Sequence, residues 1–279
     1  MKLPFRKKNR AQLPGFGLTL GLSLTYMTLL IFIPLSALVL YAAKISFPEF
    51  LDIVFNERTA AAFKVSFVSS FLAAFFNFFA GLIIAWVLTR YRFWGKKIID
   101  ALIDLPFAIP TAVAGISLAV IFSSNGIIGA FLEKFGISIA YSRGGIVVAL
   151  IFIGFPFVVR TVQPVIEELN KELEEAASSL GANYYQIFAR VIFPSLFPAL
   201  VTGFALAFAR GLGEYGSIIF ISSNMPYESE IVPLLIVKQL LQFNYEGASA
   251  IGVSLLVCAF IMLLCINLLQ NFMKKGRAK

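Results

Sequence analysis

The chain has 279 residues, of which 59% are hydrophobic and only 14% are charged. A soluble domain is typically about 45–50% apolar and about 25% charged, so a soluble enzyme, a disordered chain and a fibrous protein are all disfavoured. The sequence has no histidine, the commonest general base and metal ligand, and its two cysteines form neither a zinc site nor a disulfide framework by themselves.

Long apolar stretches set the fold class. A membrane-spanning helix needs about 20 mostly apolar residues. The first such stretch is too long for a signal-peptide core, so we interpret it as a retained first transmembrane helix at 17–43. The sequence predicts an all-α membrane protein with six transmembrane helices, near Gly17–Ala43, Ala62–Leu88, Ala101–Ser123, Gly145–Val162, Phe197–Ile221 and Ser249–Phe272.

The distribution of Lys and Arg predicts the orientation. With the N-terminus inside, 16 of the 23 basic residues fall on cytoplasmic segments and six on outer segments, while Arg210 lies within the fifth span. Cytoplasmic loops carry this excess in membrane proteins. Both termini are therefore predicted to be cytoplasmic, with basic tails at 1–16 and 273–279, and the net charge of +8 indicates this asymmetry rather than nucleic-acid binding.

Prolines interrupt two neighbouring spans. Pro106 and Pro110 lie early in the third span, and Pro156 lies in the fourth. Each proline removes a backbone donor and favours a kink, which is tolerated where protein or a water-lined cavity satisfies the freed carbonyls. One such proline indicates only helix shaping, but the group makes Pro106 and Pro110 candidates for a translocation pathway.

The connection at 164–194, between the fourth and fifth spans, is patterned like structure rather than like a plain loop. Leu169, Leu173, Ala176, Ala177 and Leu180 recur at helical spacing. Asn170 is a candidate N-cap, and Gly181 is a candidate C-terminal cap. The pattern predicts a cytoplasmic helix, a glycine turn, and a second helix from Asn183 to Pro194.

The charge of this connection favours a protein partner. Its first helix is predicted to carry five glutamates against one lysine, Lys171. A helix pair resting on lipid is the alternative, but such helices prefer Lys and Arg on their polar face. A partner with basic groups fits better.

A family resemblance follows from the same segment. Glu175, Ala176 and Ala177, then Gly181, then nine residues and the run 191–194 ending in Pro194, resemble the coupling motif of binding-protein-dependent ABC importer permeases. That motif is Glu-Ala-Ala, three residues, Gly, nine residues and Ile-x-Leu-Pro. The departures, Val191 and Phe193 in this chain, keep the apolar character. In that family, the segment docks into a groove on the ATPase subunit.

The resemblance covers about residues 13–270. The stretches 88–93, 104–115, 156–164, 213–216 and 223–227 resemble the sulfate/thiosulfate permeases, and within them the T-type subunit. Molybdate-type permeases share the Gly-Glu-aromatic-Gly segment and remain the nearest alternative. The resemblance implies the type I ABC importer permease fold, with a permease core at 60–272.

The resemblance also implies partners. It predicts a pair of ATP-binding subunits, a second homologous permease of the W-type, an extracytoplasmic sulfate-binding protein and membrane lipid, in a cell inner membrane. A plastid inner membrane is not distinguished from a bacterial one. The chain has no Gly-x-x-x-x-Gly-Lys-Ser/Thr phosphate loop. We therefore expect no catalytic residue, metal or cofactor here, with ATP bound by the partner.

Two opposite charges lie within the predicted fifth span. Arg210 and Glu214 are four residues apart and can pair on one helix face. The small residues Gly203, Ala207 and Gly211 permit close helix approach. Two roles stay open for the pair: an ion pair that locks this span against the second permease, or a pathway in which Arg210 offers positive potential to an oxyanion.

Two other classes of membrane protein compete with a permease subunit. A secondary anion transporter driven by an ion gradient predicts inverted repeats and midplane carboxylates, whereas only Glu214 lies well inside a span. A membrane enzyme needs a nucleophile–base set, which the sequence does not present. Both are disfavoured.

Overall fold

The computed structural model describes residues 15–277, without the side chains of 269 and 271–277. Most of the predicted tail at 1–16 and the last two residues lie outside the described residues. Within the described range, every regular element is a helix. The helices are α1 (Phe16–Ala42), α2 (Phe47–Phe55), α3 (Glu57–Arg90), α4 (Lys96–Ile103), α5 (Leu105–Ala108), α6 (Thr111–Phe122), α7 (Gly129–Glu133), α8 (Arg143–Glu168), α9 (Lys171–Ser179), α10 (Tyr184–Leu212), α11 (Ile218–Ile221), α12 (Val232–Leu241) and α13 (Tyr245–Arg277).

Five of the described helices are long and apolar enough to cross a membrane. They are α1, α3, α8, α10 and the first 24 residues of α13. The predicted third span, Ala101–Ser123, is not one helix but is divided among α4, α5 and α6. Ile109 and Pro110 are extended between α5 and α6 because proline lacks an N–H and disfavours a helical residue before it. The six-span count stays a prediction, with α4–α6 as the third crossing.

The centre of the molecule is a bundle of α3, α8 and α10. Small residues let these helices approach closely. A Cβ at Gly203 of α10 would lie 2.8 Å from the Cα of Val158 in α8, and one at Gly211 would lie 3.1 Å from Ser70 Oγ in α3. The predicted small-residue stripe is therefore a packing surface against helices of this same chain. The buried apolar side chains around it include Leu82, Leu88, Val159, Val162, Ile166, Leu196 and Leu200.

The fourth predicted span is longer than expected. The sequence predicts Gly145–Val162, whereas α8 begins at Arg143 and continues through Pro156 and Pro164 to Glu168. The side chain of Asn77 in α3 donates a hydrogen bond of 3.1 Å to the carbonyl of Ile151, five residues before Pro156. This bond ties α8 to α3 one residue before Phe152, whose carbonyl is the one that Pro156 leaves without its helical donor.

Helix α1 lies at the edge of the bundle. None of its most apolar stretch is buried, and large side chains such as Leu29 and Phe32 are more than half exposed. Near its end, Leu38 packs against Gly252 of α13. An apolar helix with this exposure needs lipid or a partner subunit around it.

Candidate functional site

The predicted coupling segment has the local structure that the sequence indicates. Asn170 accepts a hydrogen bond of 3.0 Å from the backbone N–H of Glu172 and caps α9. The helix ends at Ser179 with Leu180 as its C-cap, and Gly181 follows with φ of +82°. An L side chain rarely adopts this conformation, which explains a glycine there. A Cβ at Gly181 would meet no atom within 4 Å, so backbone shape and not space is what demands glycine.

The second coupling helix also begins as predicted. Asn183 and Gln186 cap it reciprocally, each side chain accepting a hydrogen bond from the other residue's backbone N–H. The prediction that it stops at Pro194 is wrong, because α10 continues to Leu212. A π-helical turn at Phe188–Ile192 precedes the proline, with hydrogen bonds spaced five residues apart, and this turn accommodates the missing proline N–H.

The outer face of this helix pair is apolar and exposed. Leu173 is 54% exposed, Leu180 89% and Tyr184 91%, and Ala176 and Glu175 are also exposed. Leu169 departs from the predicted face, since it directly follows α8 and packs against the central core. Residues 164–168 likewise belong to α8. An apolar patch beside glutamates, with no described residue covering it, is typical of a protein interface.

A link that sequence reasoning missed joins α9 to the membrane helices. Arg90, at the end of α3, pairs with Glu174 of α9 at 2.5 Å, and its guanidinium lies 5.1 Å from the Trp86 ring centroid. Both charged side chains are mostly buried, with 14% and 26% exposure. The pair borders a cavity of about 450 Å³ that Lys171 and Glu175 also line. The partners are 84 residues apart in sequence, so no local spacing signals the contact.

The Arg210–Glu214 pair exists, in a different context from that predicted. Arg210 Nη1 lies 2.8 Å from Glu214 Oε2, with 36% and 2% of the side chains exposed. The predicted span Phe197–Ile221 is wrong in extent, because α10 ends at Leu212 and residues 213–217 form a break before α11. Glu214 also accepts hydrogen bonds from the Ser217 N–H at 2.9 Å and hydroxyl at 3.0 Å. The carboxylate is therefore a fixed, buried group.

Two helix breaks meet beside this pair. Pro106 lies inside α5, and Pro110 precedes α6 at the extended break. A Cβ at Gly216 would lie 2.2 Å from Thr111 Oγ1, and one at Gly115 would lie 2.3 Å from the Ser217 carbonyl oxygen. The structure thus brings the proline break into contact with the glycine break. Discontinuous helices of this kind line substrate sites in many transporters.

A second missed network fastens α4 and α5 to α8. Arg160 donates to both carboxylate oxygens of Asp104, at 2.8 and 2.6 Å, and to Asp100 at 2.7 Å. Its Nη1 also donates to Gln163 at 2.8 Å. This network holds the start of the broken segment α4–α6 against the continuous helix α8.

A third network lies at the opposite end of the bundle. Glu230 is 1% exposed and is held by Arg58 at 2.7 Å and by Lys238 at 2.6 Å. Burial acts to raise the pKa of Glu230, but the hydrogen bonds from Arg58 and Lys238 outweigh it, so the pKa lies below its ordinary value of 4.5. Glu230 therefore stays ionised and pins the segment between α11 and α12. Among the described residues, no group of three or more His, Cys, Asp and Glu side chains has a geometry that could hold a metal.

The chain matches the family model described as "Binding-protein-dependent transport system inner membrane component" over residues 77–279. The chain belongs to this family. It is 49% identical over 267 residues to the sulfate transport system permease protein CysT of Escherichia coli (strain K12), covering 96% of each. It is 47% identical over 250 residues to a probable sulfate transport system permease protein of Chlorokybus atmophyticus, covering 90% of this chain and 87% of the relative.

Solved structures show the same fold. A chain of a bacterial alginate ABC transporter, crystallised with a pentasaccharide-bound periplasmic protein, superposes with a TM-score of 0.75 at 22% identity, covering 90% of this chain and 92% of that one. A chain of the inward-facing MetNI methionine ABC transporter gives a TM-score of 0.62 at 17% identity, covering 82% and 99%. The predicted ABC importer permease fold is confirmed.

Proposed function

We propose that this chain is the transmembrane permease subunit of an ATP-driven importer that moves sulfate or thiosulfate inward. The similarity to sulfate permeases over nearly the full length of both chains carries this proposal. The chain is not itself an enzyme, since permease subunits leave ATP hydrolysis to a partner. The function is tested by uptake of radiolabelled sulfate into proteoliposomes. One set of proteoliposomes has ATP inside and a second set has ATP outside. Competition by molybdate tests the nearest alternative substrate class.

The proposed assembly has two permeases, two ATPase subunits and an extracytoplasmic binding protein in an inner membrane. The exposed surfaces support it. Helix α1 and the exposed phenylalanines of α3, Phe71 and Phe75 among them, present more apolar area than a protein alone in water would expose. Purification of the complex through a tag on this chain tests the composition. Recovery of this chain alone, from cells that express all subunits, would contradict it.

We place the ATPase-docking surface on Glu175, Ala176, Ala177 and Gly181, with Pro194 in the supporting helix. The exposed apolar patch and the acidic flank of α9 support this placement. A Glu175→Lys change puts a positive charge into an interface proposed to face basic groups, and should weaken ATPase co-purification. The exposed Glu133, far away in α7, offers a matched charge reversal that should leave co-purification unchanged.

We place the pathway at the paired helix breaks. Arg210 is half-exposed, while its partner Glu214 is buried and held by Ser217, so the guanidinium is the group available to an oxyanion. The breaks at Pro110 and Gly216 lie in contact beside this guanidinium, and discontinuous helices of this kind line substrate sites in many transporters. Pro106 acts indirectly in this proposal, by shaping the short helix that leads into the first break.

The orientation with both termini cytoplasmic has a direct test. After removal of Cys258 and Cys265, single cysteines at Lys97 and Glu175 should resist an impermeant thiol reagent in intact cells. Cysteines at Glu133 and Glu228 should react, since all four positions are exposed. Labelling of position 175 from outside would overturn both the orientation and the docking site.

A further inference from the structure

A concave basic surface lies between α3 and α4. Residues 92–98 line a concavity of about 500 Å³ and include the cations Arg92, Lys96 and Lys97. None of these three cations forms an ion pair with a described residue, and Lys96 makes only a 3.5 Å contact to the carbonyl of Tyr91. Three positive charges therefore gather here without a counter-charge from this part of the chain.

The neighbouring acids do not neutralise this surface. Asp100 of α4 and Asp104, which follows α4, are engaged by Arg160 of α8, and these three groups together carry one net negative charge against the three cations. Helix α4 is amphipathic, and its other face exposes apolar side chains: Ile98 is 62% exposed, and Leu102 is 55% exposed. The acids are thus bound to α8 on one side, with 39% and 49% of their side chains exposed, while the cations and the apolar side chains contact no partner of this kind.

The aromatic residue of this surface is unusually open. Trp94 is 95% exposed, so almost nothing in the described chain covers a large amphipathic ring. Trp is enriched at membrane–water interfaces, where its ring lies at the level of the lipid headgroups. A flanking amphipathic helix with exposed isoleucines is the arrangement that lies in the plane of an interface.

We infer that residues 92–98 bind the headgroup of an anionic phospholipid. In this arrangement, Arg92, Lys96 and Lys97 contact the phosphate-bearing headgroup, Trp94 lies at headgroup depth, and Ile98 packs among acyl chains. A free anion would account for the cations but not for the exposed Trp94 and the apolar face of α4. Each basic side chain near an anionic leaflet favours binding by about fivefold.

The two tryptophans of the chain make the experiment selective. In a Trp86→Phe variant of the full chain, Trp94 is the sole tryptophan emitter. The variant is placed in phosphatidylcholine nanodiscs that contain a small fraction of brominated lipid, either phosphatidylglycerol or phosphatidylcholine. We expect brominated phosphatidylglycerol to quench Trp94 at a several-fold lower mole fraction. Adding Arg92→Gln, Lys96→Gln and Lys97→Gln should lower the preference for phosphatidylglycerol over phosphatidylcholine at least fivefold.

A matched control removes the same charge elsewhere. Gln at Lys44, Lys64 and Lys134 should leave the preference unchanged, so a change there would indicate a general charge effect and overturn the site. Equal quenching of Trp94 by the two brominated lipids would also overturn it. A further arm uses the assembled complex with the other subunits' tryptophans replaced. If the ATPase subunit abolishes quenching of Trp94 there, the surface is a protein interface and the lipid proposal fails.

Discussion

Replacing Arg90 with alanine is expected to loosen α9 while leaving the membrane helices packed. The change removes a charge-assisted hydrogen bond to Glu174, typically about 1.5–3 kcal/mol, and a cation–π contact with Trp86 of about 0.5–1 kcal/mol. Because Glu174 is one-quarter exposed and gains water when released, we take the net loss as about 2 kcal/mol. That corresponds to about 30-fold more frequent opening of α9.

Hydrogen exchange measures this opening directly. The amides of α9, such as Leu180 N–H bonded to the Ala176 carbonyl, should exchange about 30-fold faster in Arg90→Ala, while those of α8 stay unchanged. In the assembled importer, ATP hydrolysis should persist while sulfate uptake falls, since closure of the ATPase subunits would no longer be transmitted rigidly to α3.

Two further variants separate this link from general damage. Arg92→Ala removes an exposed cation two residues away and should leave α9 exchange as in the parent protein. The charge swap Arg90→Glu with Glu174→Arg should recover part of the uptake. Parental exchange rates in Arg90→Ala would refute the link, even if ATPase docking on α9 were correct, because co-purification reports docking separately.

Three other outcomes follow from the structure. Gly181→Val forces a β-branched residue to φ of +82° and should cost about 1–2 kcal/mol in local stability. It should reduce sulfate uptake more than Gly181→Asn, because asparagine tolerates this backbone conformation. Equal uptake by the two variants would refute the backbone argument. The double change Arg210→Met with Glu214→Gln removes the ion pair but keeps an acceptor for the Ser217 N–H. If the pair lines the pathway, this variant should assemble but transport sulfate poorly. Normal transport by the assembled variant would show that the pair only packs. The pKa of Glu230 is lower in the folded state, so the ionised carboxylate stabilises the folded protein fully above pH 4.5, and this stabilisation is lost as the pH falls below that value. Thermal unfolding should show that Glu230→Gln removes this part of the acid sensitivity. The exposed control Glu228→Gln should leave the acid sensitivity unchanged.

Local signals explain what the sequence predicted well. Apolar runs of spanning length identify a membrane protein because the bilayer admits few other solutions. Asn170, Gly181 and Asn183 predicted a helix, a turn and a helix, since caps and positive φ are decided within a few residues. The coupling motif then identified the family, which the match over residues 77–279 confirmed.

The sequence predicted helix ends wrongly at positions where a proline or glycine can either end a helix or be accommodated within it. Pro194 lies within a continuous helix, shortly after a π-helical turn, whereas Pro110 lies at a break. The prolines look alike in the sequence, and their different outcomes depend on whether neighbouring structure accommodates the lost hydrogen bond. The helix α10 ends at Leu212, and Glu214 just beyond it accepts a hydrogen bond from the Ser217 backbone, a contact that no helical spacing predicts.

The sequence by itself determined the membrane class, the helical composition and the helix–glycine–helix form of the coupling segment. Only the tertiary structure decided which charges pair, because Arg90 with Glu174, Arg160 with Asp100 and Arg58 with Glu230 are 84, 60 and 172 residues apart. Such pairing depends on which helices become neighbours, and that is set by close packing of small residues such as Gly203 over the whole bundle. The contact between the helix break at Pro110 and the helix break at Gly216 likewise depends on which helices become neighbours.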